Sequence, residues 1–335
     1  MPEVAITKQR RIKILISVSP PCSRIFQRLK ELTLIVNLNY IVFSGSLTVG
    51  IPLLSILTIN AAIQDVRICS ISFYRPLDHI GPRLEKLAEE IRNLAPDIVV
   101  LQELFHREYQ EQFYNLISDI YPFSAGFARR GPKLRLGNEL ITVSKFPLTN
   151  CRFMRFRETA LEEQLFTNKG IFTMQVDIPG AGKFQLINFH MTAGGLWNHP
   201  EDTSMERIRT SQIIQLVEAV SEKMPAILAG DLNSGPASSP ENYARILSAG
   251  FIDTFVEAGA EGMSWDPSNP LVAHHSENHL PPQRVDHVFI NPAARDQVRP
   301  DTARIVLDTR CITLSSGLEI PVSDHYGVLV EFRGR

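Results

Sequence analysis

The chain has 335 residues, 44% hydrophobic and 21% charged, with a formal net charge of −2. That balance suits a globular protein of one large domain or two smaller ones. It excludes a global polycation that would hold nucleic acid by charge alone. Four scattered cysteines (Cys22, Cys69, Cys151, Cys311) form no CxxC, which argues against a thiolate zinc cluster or a disulfide framework.

The charge is unevenly spread. Residues 1–31 carry seven Lys/Arg and two Glu, a net of +5, which leaves −2 − 5 = −7 for the remainder. No charged residue lies between Leu32 and Ile63. That run is long enough to span a bilayer, although Asn37, Asn39, Ser44, Gly45, Ser46 and Pro52 interrupt it. Three readings stand: an uncleaved membrane anchor, the apolar part of an export signal behind a basic leader, or a core or upstream segment. Either of the first two puts the remainder outside the cytoplasm, because positive flanks stay inside. The expected organisation is a basic segment at 1–31, a hydrophobic segment at 32–63 and a domain at 65–335.

From Val66 the pattern becomes that of a folded domain. Val66–Ile71 predicts a short strand. Leu84, Leu87, Ala88, Ile91 and Leu94 fall at helical spacing. Ile98–Leu101 predicts a buried strand, Tyr109–Ile120 a helix and Leu140–Val143 a strand. Phe172–Val176 and Phe184–Phe189 alternate around Pro179-Gly180 and Ala181-Gly182. Ile208–Val220 predicts an amphipathic helix, Ala226–Ala229 a buried strand halted at Gly230, and Glu241–Leu247 another helix. Val285–Ile290 and Val328–Phe332 are further strands. Strands with interleaved helices predict two packed sheets with helices outside.

Several of these strands end in chemically capable residues. Leu101 leads to Gln102 and Glu103. Ile187 leads to Asn188 and His190. Ala229 leads to Asp231 and Asn233, which in an extended strand end would point the same way. Val285 leads to Asp286, and Val322 to Ser323, Asp324 and His325. Strand ends can converge on one rim, so these residues can form one site, although a single Asx turn after a strand is common. Carboxylates such as Glu103 suit Mg²⁺ or Mn²⁺. His190 and His325 suit acid–base work. With no evident thiol or serine nucleophile, the set points to attack by water on a phosphate ester.

The motifs Asp97-Ile-Val-Val-Leu-Gln-Glu103, Thr142-Val-Ser-Lys-Phe-Pro147, Asn188-Phe-His190, Gly230-Asp-Leu-Asn233, Arg284-Val-Asp286 and Ser323-Asp-His-Tyr326 cover nearly all of 66–332. In order and spacing they resemble the endonuclease/exonuclease/phosphatase superfamily of DNase I-like proteins. The resemblance implies an α/β (α+β) fold, a four-layered sandwich of two packed mixed/antiparallel β-sheets flanked by helices. It implies a Mg²⁺-dependent (or Mn²⁺-dependent) phosphoric diester hydrolase. Glu103 would bind the metal, with Asp324 beside it. His325 would be the general base, oriented by Asp286. Asp231 and Asn233 would position water and phosphate. His190, paired with Glu139, would stabilise the phosphorane-like transition state or assist the leaving group. Where the first strand of the family normally ends in a metal-holding asparagine, the predicted strand ends in Ser72, a poorer ligand.

For substrate, the Trp-Cys-Asp-Arg segment usual in inositol phosphatases is missing before Asp286. Met263-Ser-Trp265-Asp-Pro-Ser-Asn269-Pro-Leu271 resembles a segment of secreted sphingomyelinase-like members. Trp197 and Trp265 would flank the site, where aromatics favour a membrane interface or simply pack. The basic cluster Arg129, Arg130, Lys133 and Arg135 either touches phosphates or is a solvated loop. His274, His275, His279 and His287 lack the helix a zinc site would need. The expected partner is a phospholipid substrate or a nucleic acid, with membrane association, and no obligate protein partner is inferred. The alternatives are a DNase I-like extracytoplasmic endonuclease, a phosphatase, and an inactive membrane-tethered binding module.

Overall fold

The computed structural model describes the backbone of residues 34–37, 40–43 and 47–50, and residues 52–63, 79–126, 138–193, 203–272 and 280–335. They divide into two compact units, residues 1–51 and Pro52–Arg335. In the first, β1 (Leu34–Asn37), β2 (Tyr40–Phe43) and β3 (Leu47–Gly50) form an antiparallel meander.

The second unit runs in chain order through β4 (Leu54–Ile63), α1 (Ile80–Leu94), β5 (Ile98–Leu104), α2 (Arg107–Ile117), β6 (Phe123–Ala125), β7 (Ile141–Ser144) and β8 (Leu148–Arg155). It continues through α3 (Leu161–Phe166), β9 (Gly170–Ile178), β10 (Gly182–His190), α4 (Ser204–Glu218), β11 (Ala226–Asp231), α5 (Pro240–Ser248), β12 (Ile252–Asp253) and α6 (Thr254–Glu257). It ends with β13 (Asp286–Ile290), α7 (Pro292–Arg295), β14 (Val298–Val306), β15 (Ile312–Thr313), β16 (Glu319–Ile320) and β17 (Gly327–Gly334).

Two six-stranded sheets result, ordered β12-β13-β11-β10-β9-β8 and β14-β17-β4-β5-β7-β6. The pairs β10/β11 and β4/β5 are parallel, and the other pairings within these sheets are antiparallel. Leu54, Ile56, Ile98, Val100, Phe184, Leu186, Ile227, Ala229, Val288 and Val330 fill the space between the sheets. Leu57, Ile59, Val99 and Leu101 face the other way, onto Leu84, Leu87, Ile91 and Phe113 of α1 and α2. Ile187, Phe189, Leu228 and Phe289 likewise cover Ile213, Leu216 and Ile246 of α4 and α5. The layers are therefore helix, sheet, sheet, helix. Strands buried on both faces read as continuous apolar runs, which is why Ile98–Leu101 and Ala226–Ala229 are legible without alternation.

Of the three readings of the apolar run, the core segment holds for residues 54–63, which corrects the domain boundary drawn after that run and the placing of the first strand at Val66–Ile71, ending in Ser72. Residues 64–78, Ser72 among them, lie outside the described residues. The first strand of the large unit is β4, buried along its whole length and flanked by β17 and β5. The boundary expected at Asp65 therefore falls at Pro52. An inner strand buried on both faces and a bilayer-spanning segment both need an uninterrupted apolar run, so hydrophobicity cannot separate them. No helix among the described residues is long and apolar enough to cross a membrane.

A second correction concerns Gly230. The strand does not stop there, because β11 continues to Asp231. Glycine is required for close approach: a Cβ at Gly230 would lie 2.1 Å from the Phe189 carbonyl oxygen of neighbouring β10.

Candidate active site

The inward faces of the strands change character along their length. On β4 the inward series is Leu54, Ile56, Thr58, Asn60; on β10 it is Phe184, Leu186, Asn188, His190. On β11 it is Ile227, Ala229, Asp231, and on antiparallel β13 it is Ile290, Val288, Asp286. A side-chain period of two thus puts apolar groups at one end of the intersheet space and polar groups at the other. Register brings the polar ends side by side: His190 pairs with Asp231, Asp231 with Asp286, and Asn60 with Gln102.

Two imidazole–carboxylate pairs stand at this rim. His325 Nδ1 lies 2.8 Å from Asp286 Oδ2. His190 Nδ1 lies 2.8 Å from Glu139 Oε1. His190 Nε2 is 3.6 Å from both Glu103 Oε1 and Asp231 Oδ2. Asn60 Nδ2 donates to Asp231 Oδ2 at 3.1 Å, and Asn233 N donates to Asp231 Oδ1 at 2.8 Å. Asp231 and Asn233 therefore form an Asx turn after β11 and not an extended strand end with both side chains pointing the same way. Asn233 has φ 47°, a conformation asparagine tolerates better than most residues, and its side chain donates to the Met191 carbonyl at 3.0 Å.

The surrounding residues lock these groups. Gln102 Nε2 donates to Asn188 Oδ1 at 2.9 Å, and Asn188 Nδ2 donates to the Leu101 and Ile141 carbonyls at 3.1 Å each, which joins the two sheets beneath the site. Ser264 Oγ accepts from the backbone N–H groups of Val285 and Asp286 at 3.0 Å each. Ser323 Oγ donates to the Asn60 carbonyl at 2.6 Å and accepts from His325 N at 3.2 Å. Asn269 Nδ2 donates to the Ser323 carbonyl at 2.9 Å. Trp265 is buried and bridges Gln283 and His325. The Met263–Leu271 segment thus braces Asp286 and His325, and Trp265 packs.

Burial and charge set the protonation states. Burial is the main influence raising the Glu103 carboxyl above its ordinary range. Burial likewise pushes Glu139 up to about 8. Burial, reinforced by the Lys169 charge, takes His190 down to about 4, so it is neutral at pH 7. For His325 burial acts downward, but attraction and hydrogen bonding from Asp286 win and hold it well above the usual range. Arg83 of α1 donates to the Val322, Ala62 and Ala61 carbonyls. Burial lowers its pKa to about 10, with Asp324 and Glu103 opposing, so it remains a cation beside those acids.

The donors fit a hard divalent cation. One ligand atom each from Asp231, Asp286 and His325 lies within 4.8 Å of the others; Asp286 and His325 are already paired with each other, which leaves Asp231 of that group to face an ion, and buried Asp286 Oδ1 has no hydrogen-bond partner among the described residues. Glu103 and Asp231 face a common space beside His190, and Asn60 fills the first-strand position assigned to Ser72. Oxygen-rich donors of this kind suit Mg²⁺ or Mn²⁺.

Sequence reasoning misses Asn60, Lys169 and Glu163. Asn60 carries the same signal as the other site residues, a polar group ending an apolar run, but that run reads as upstream of the domain. Lys169 and Glu163 sit in no motif. Trp197, the basic cluster Arg129–Arg135 and His274, His275 and His279 lie outside the described residues. His287 belongs to a buried cluster, between Arg284 at 2.7 Å and the Ser234 carbonyl at 2.9 Å.

The family model of the endonuclease/exonuclease/phosphatase family matches residues 72–325. The chain belongs to this family. A curated relative, sphingomyelinase C of Leptospira interrogans, is 22% identical over 254 residues, covering 69% of this chain and 44% of the relative. The chain thus matches less than half the length of that relative. A mutant beta toxin from Staphylococcus aureus with bound magnesium ions superposes with a TM-score of 0.58 at 14% identity, covering 83% of this chain and 99% of that one. D. rerio TDP2 complexed with single strand DNA product gives a TM-score of 0.59 at 21% identity, covering 84% and 98%. The likenesses show the DNase I-like sandwich shared by this unit.

Proposed function

We propose that this chain is a Mg²⁺-dependent phosphodiesterase whose substrate is a sphingomyelin-type phospholipid. The observation that carries the hydrolase reading is the convergence of two imidazole–carboxylate pairs on the space shared by Glu103 and Asp231. The lipid choice is supported by the named activity of the curated relative and by the segment at Met263–Leu271.

Glu103, Asn60 and Asp231 would hold the divalent ion, with Asp324 alongside. Such an ion supplies Lewis-acid charge to a phosphate oxygen. Asp286 fixes the His325 ring through Nδ1 and leaves Nε2 for the proton of the attacking water in the neutral form of the ring, a form that the Asp286 charge keeps scarce and that grows as pH rises. The Asp286 carboxylate stabilises the imidazolium so formed. Asp231 and Asn233 orient water and phosphate from the adjacent strand end.

The test is phosphocholine release from sphingomyelin vesicles, run beside nicking of supercoiled plasmid and cleavage of p-nitrophenyl phosphate, with EDTA and then with added Mg²⁺. Release of phosphocholine that EDTA stops and Mg²⁺ restores is the expected result. Replacing His325 by Ala should lower the rate by about 10²–10⁴-fold. Plasmid nicking without lipid hydrolysis would establish the nuclease reading. Cleavage of the monoester alone would establish a phosphatase. If the Glu103→Ala and His325→Ala proteins match the parent in every assay, the enzyme reading falls and a binding module remains.

A further inference from the structure

Lys169 precedes β9 and is buried beside the candidate site, in no motif and with no role in the reaction outlined above. Its ammonium lies 2.8 Å from His190 Nε2, 2.8 Å from the Met191 carbonyl and 3.1 Å from Glu163 Oε1. Glu163 is held in turn: Oε2 accepts from Thr192 Oγ1 at 2.6 Å and from Ala160 N at 3.2 Å. A lysine ammonium has three N–H donors and no acceptor, and here three acceptors take them.

That count decides the state of the imidazole. A group that only donates faces Nε2, so Nε2 must present its lone pair. The ring proton then sits on Nδ1 and is donated to Glu139 Oε1 at 2.8 Å. In this tautomer His190 has no N–H to offer a phosphate or a leaving group. Positive charge at this corner resides on Lys169, beside the space that Glu103 and Asp231 share. The buried counter-charge of Glu163, 3.1 Å from Nζ, pairs with the ammonium.

We propose that Lys169, anchored by Glu163, is a positioning residue that holds His190 as the Nδ1–H tautomer and stations a fixed positive charge beside its Nε2. The charge that gathers on the phosphate in the transition state is then met by the Lys169–His190 unit and not by a proton donated from His190. The catalytic half of this inference rests on the phosphodiesterase reading. The tautomer half does not.

The two halves are tested separately. Long-range ¹H–¹⁵N correlation spectra of the ¹⁵N-labelled full chain, without substrate, report the tautomer of each histidine. The parent protein should show His190 protonated at Nδ1 with an acceptor Nε2. The Lys169→Met protein, nearly matched in length, should move His190 to the Nε2–H form or to tautomeric exchange. Its kcat should fall about 10²-fold, with KM changed by no more than about threefold, since the residue does not reach the substrate. Glu163→Gln should shift both readouts in the same direction by less. A parent His190 protonated at Nε2 would overturn the proposal outright, whether or not Lys169→Met folds. So would a folded Lys169→Met protein with an unchanged tautomer and unchanged kcat. If Lys169→Met does not fold, a Glu163→Gln protein with neither shift also overturns it. A parent chain that shows the Nδ1–H signal but hydrolyses no phosphodiester supports the tautomer assignment and overturns the phosphodiesterase reading.

Discussion

Asn60 shows how much one misplaced residue changes. Its amide donates to Asp231 Oδ2 while its own Oδ1 accepts from Ala62 N at 3.1 Å, so it shapes the strand end and the site together. Removing the amide leaves one oxygen of buried Asp231 short of a donor, at a cost of about 1–3 kcal/mol. The Asn60→Ala protein should unfold at lower urea by that amount. It should also need more Mg²⁺ to reach half-maximal activity, as a Mg²⁺ titration would show. A serine in this role predicts weak metal binding. In the proposed site that role passes to Asn60 of β4, while Ser72 lies outside the described residues. Asp231 likewise shows that a common turn and a site residue need not be alternatives, because each of its two oxygens does one task.

At the scale of elements, β4 carries the clearest test. It contributes Leu54 and Ile56 to the intersheet core, Leu57 and Ile59 to the layer under α1, and Asn60 to the site. A chain beginning at Asp65, where the sequence reading starts the domain, would lack the strand between β17 and β5. Its loss removes several fully buried aliphatic side chains, each worth about 2–5 kcal/mol by comparison with truncation to alanine, more than the usual stability of a domain. Such a chain should fail to give a cooperative thermal transition in calorimetry, where the full chain gives one. The segment Met263–Leu271 makes a related point. Its tryptophan suggests a lipid interface. Its structural work is to brace Asp286 through Ser264, and His325 through Asn269 and Trp265.

For the whole molecule, response to acid should turn on Asp253. Its carboxylate caps α6 at Phe255 N, accepts from Tyr243 Oη at 2.7 Å and pairs with Arg284 at 2.8 Å. It therefore ties α5 and α6 to the segment that leads into β13. Burial opposes the charge, but hydrogen bonding and attraction from His287, then Arg284, hold the carboxyl well below its ordinary 3.8. A carboxyl depressed in the folded state stabilises the protein above its unfolded pKa, and that stability is lost as pH falls through and below 3.8. The Asp253→Asn protein should be less stable than the parent by about 3–5 kcal/mol at pH 7 in urea unfolding. The gap should narrow as the pH drops below that value.

The layered architecture and most of the site's membership were written in local signals. Apolar runs, helical spacing and polar strand ends need no partner to be read, and they pointed to Glu103, His190, Asp231, Asn233, Asp286, Asp324 and His325 as candidates. Glu139 came only through family resemblance. Which apolar run is the first strand had to wait for the fold, because a buried strand and a membrane span share one pattern until neighbours pair with it. The meeting of Lys169 with His190 had to wait as well. They lie 21 residues apart, across the β9–β10 hairpin, where register rather than sequence sets the contact. The proposed tautomer of His190 follows from its two partners taken together, Glu139 at Nδ1 and Lys169 at Nε2, and only the fold brings both to the ring.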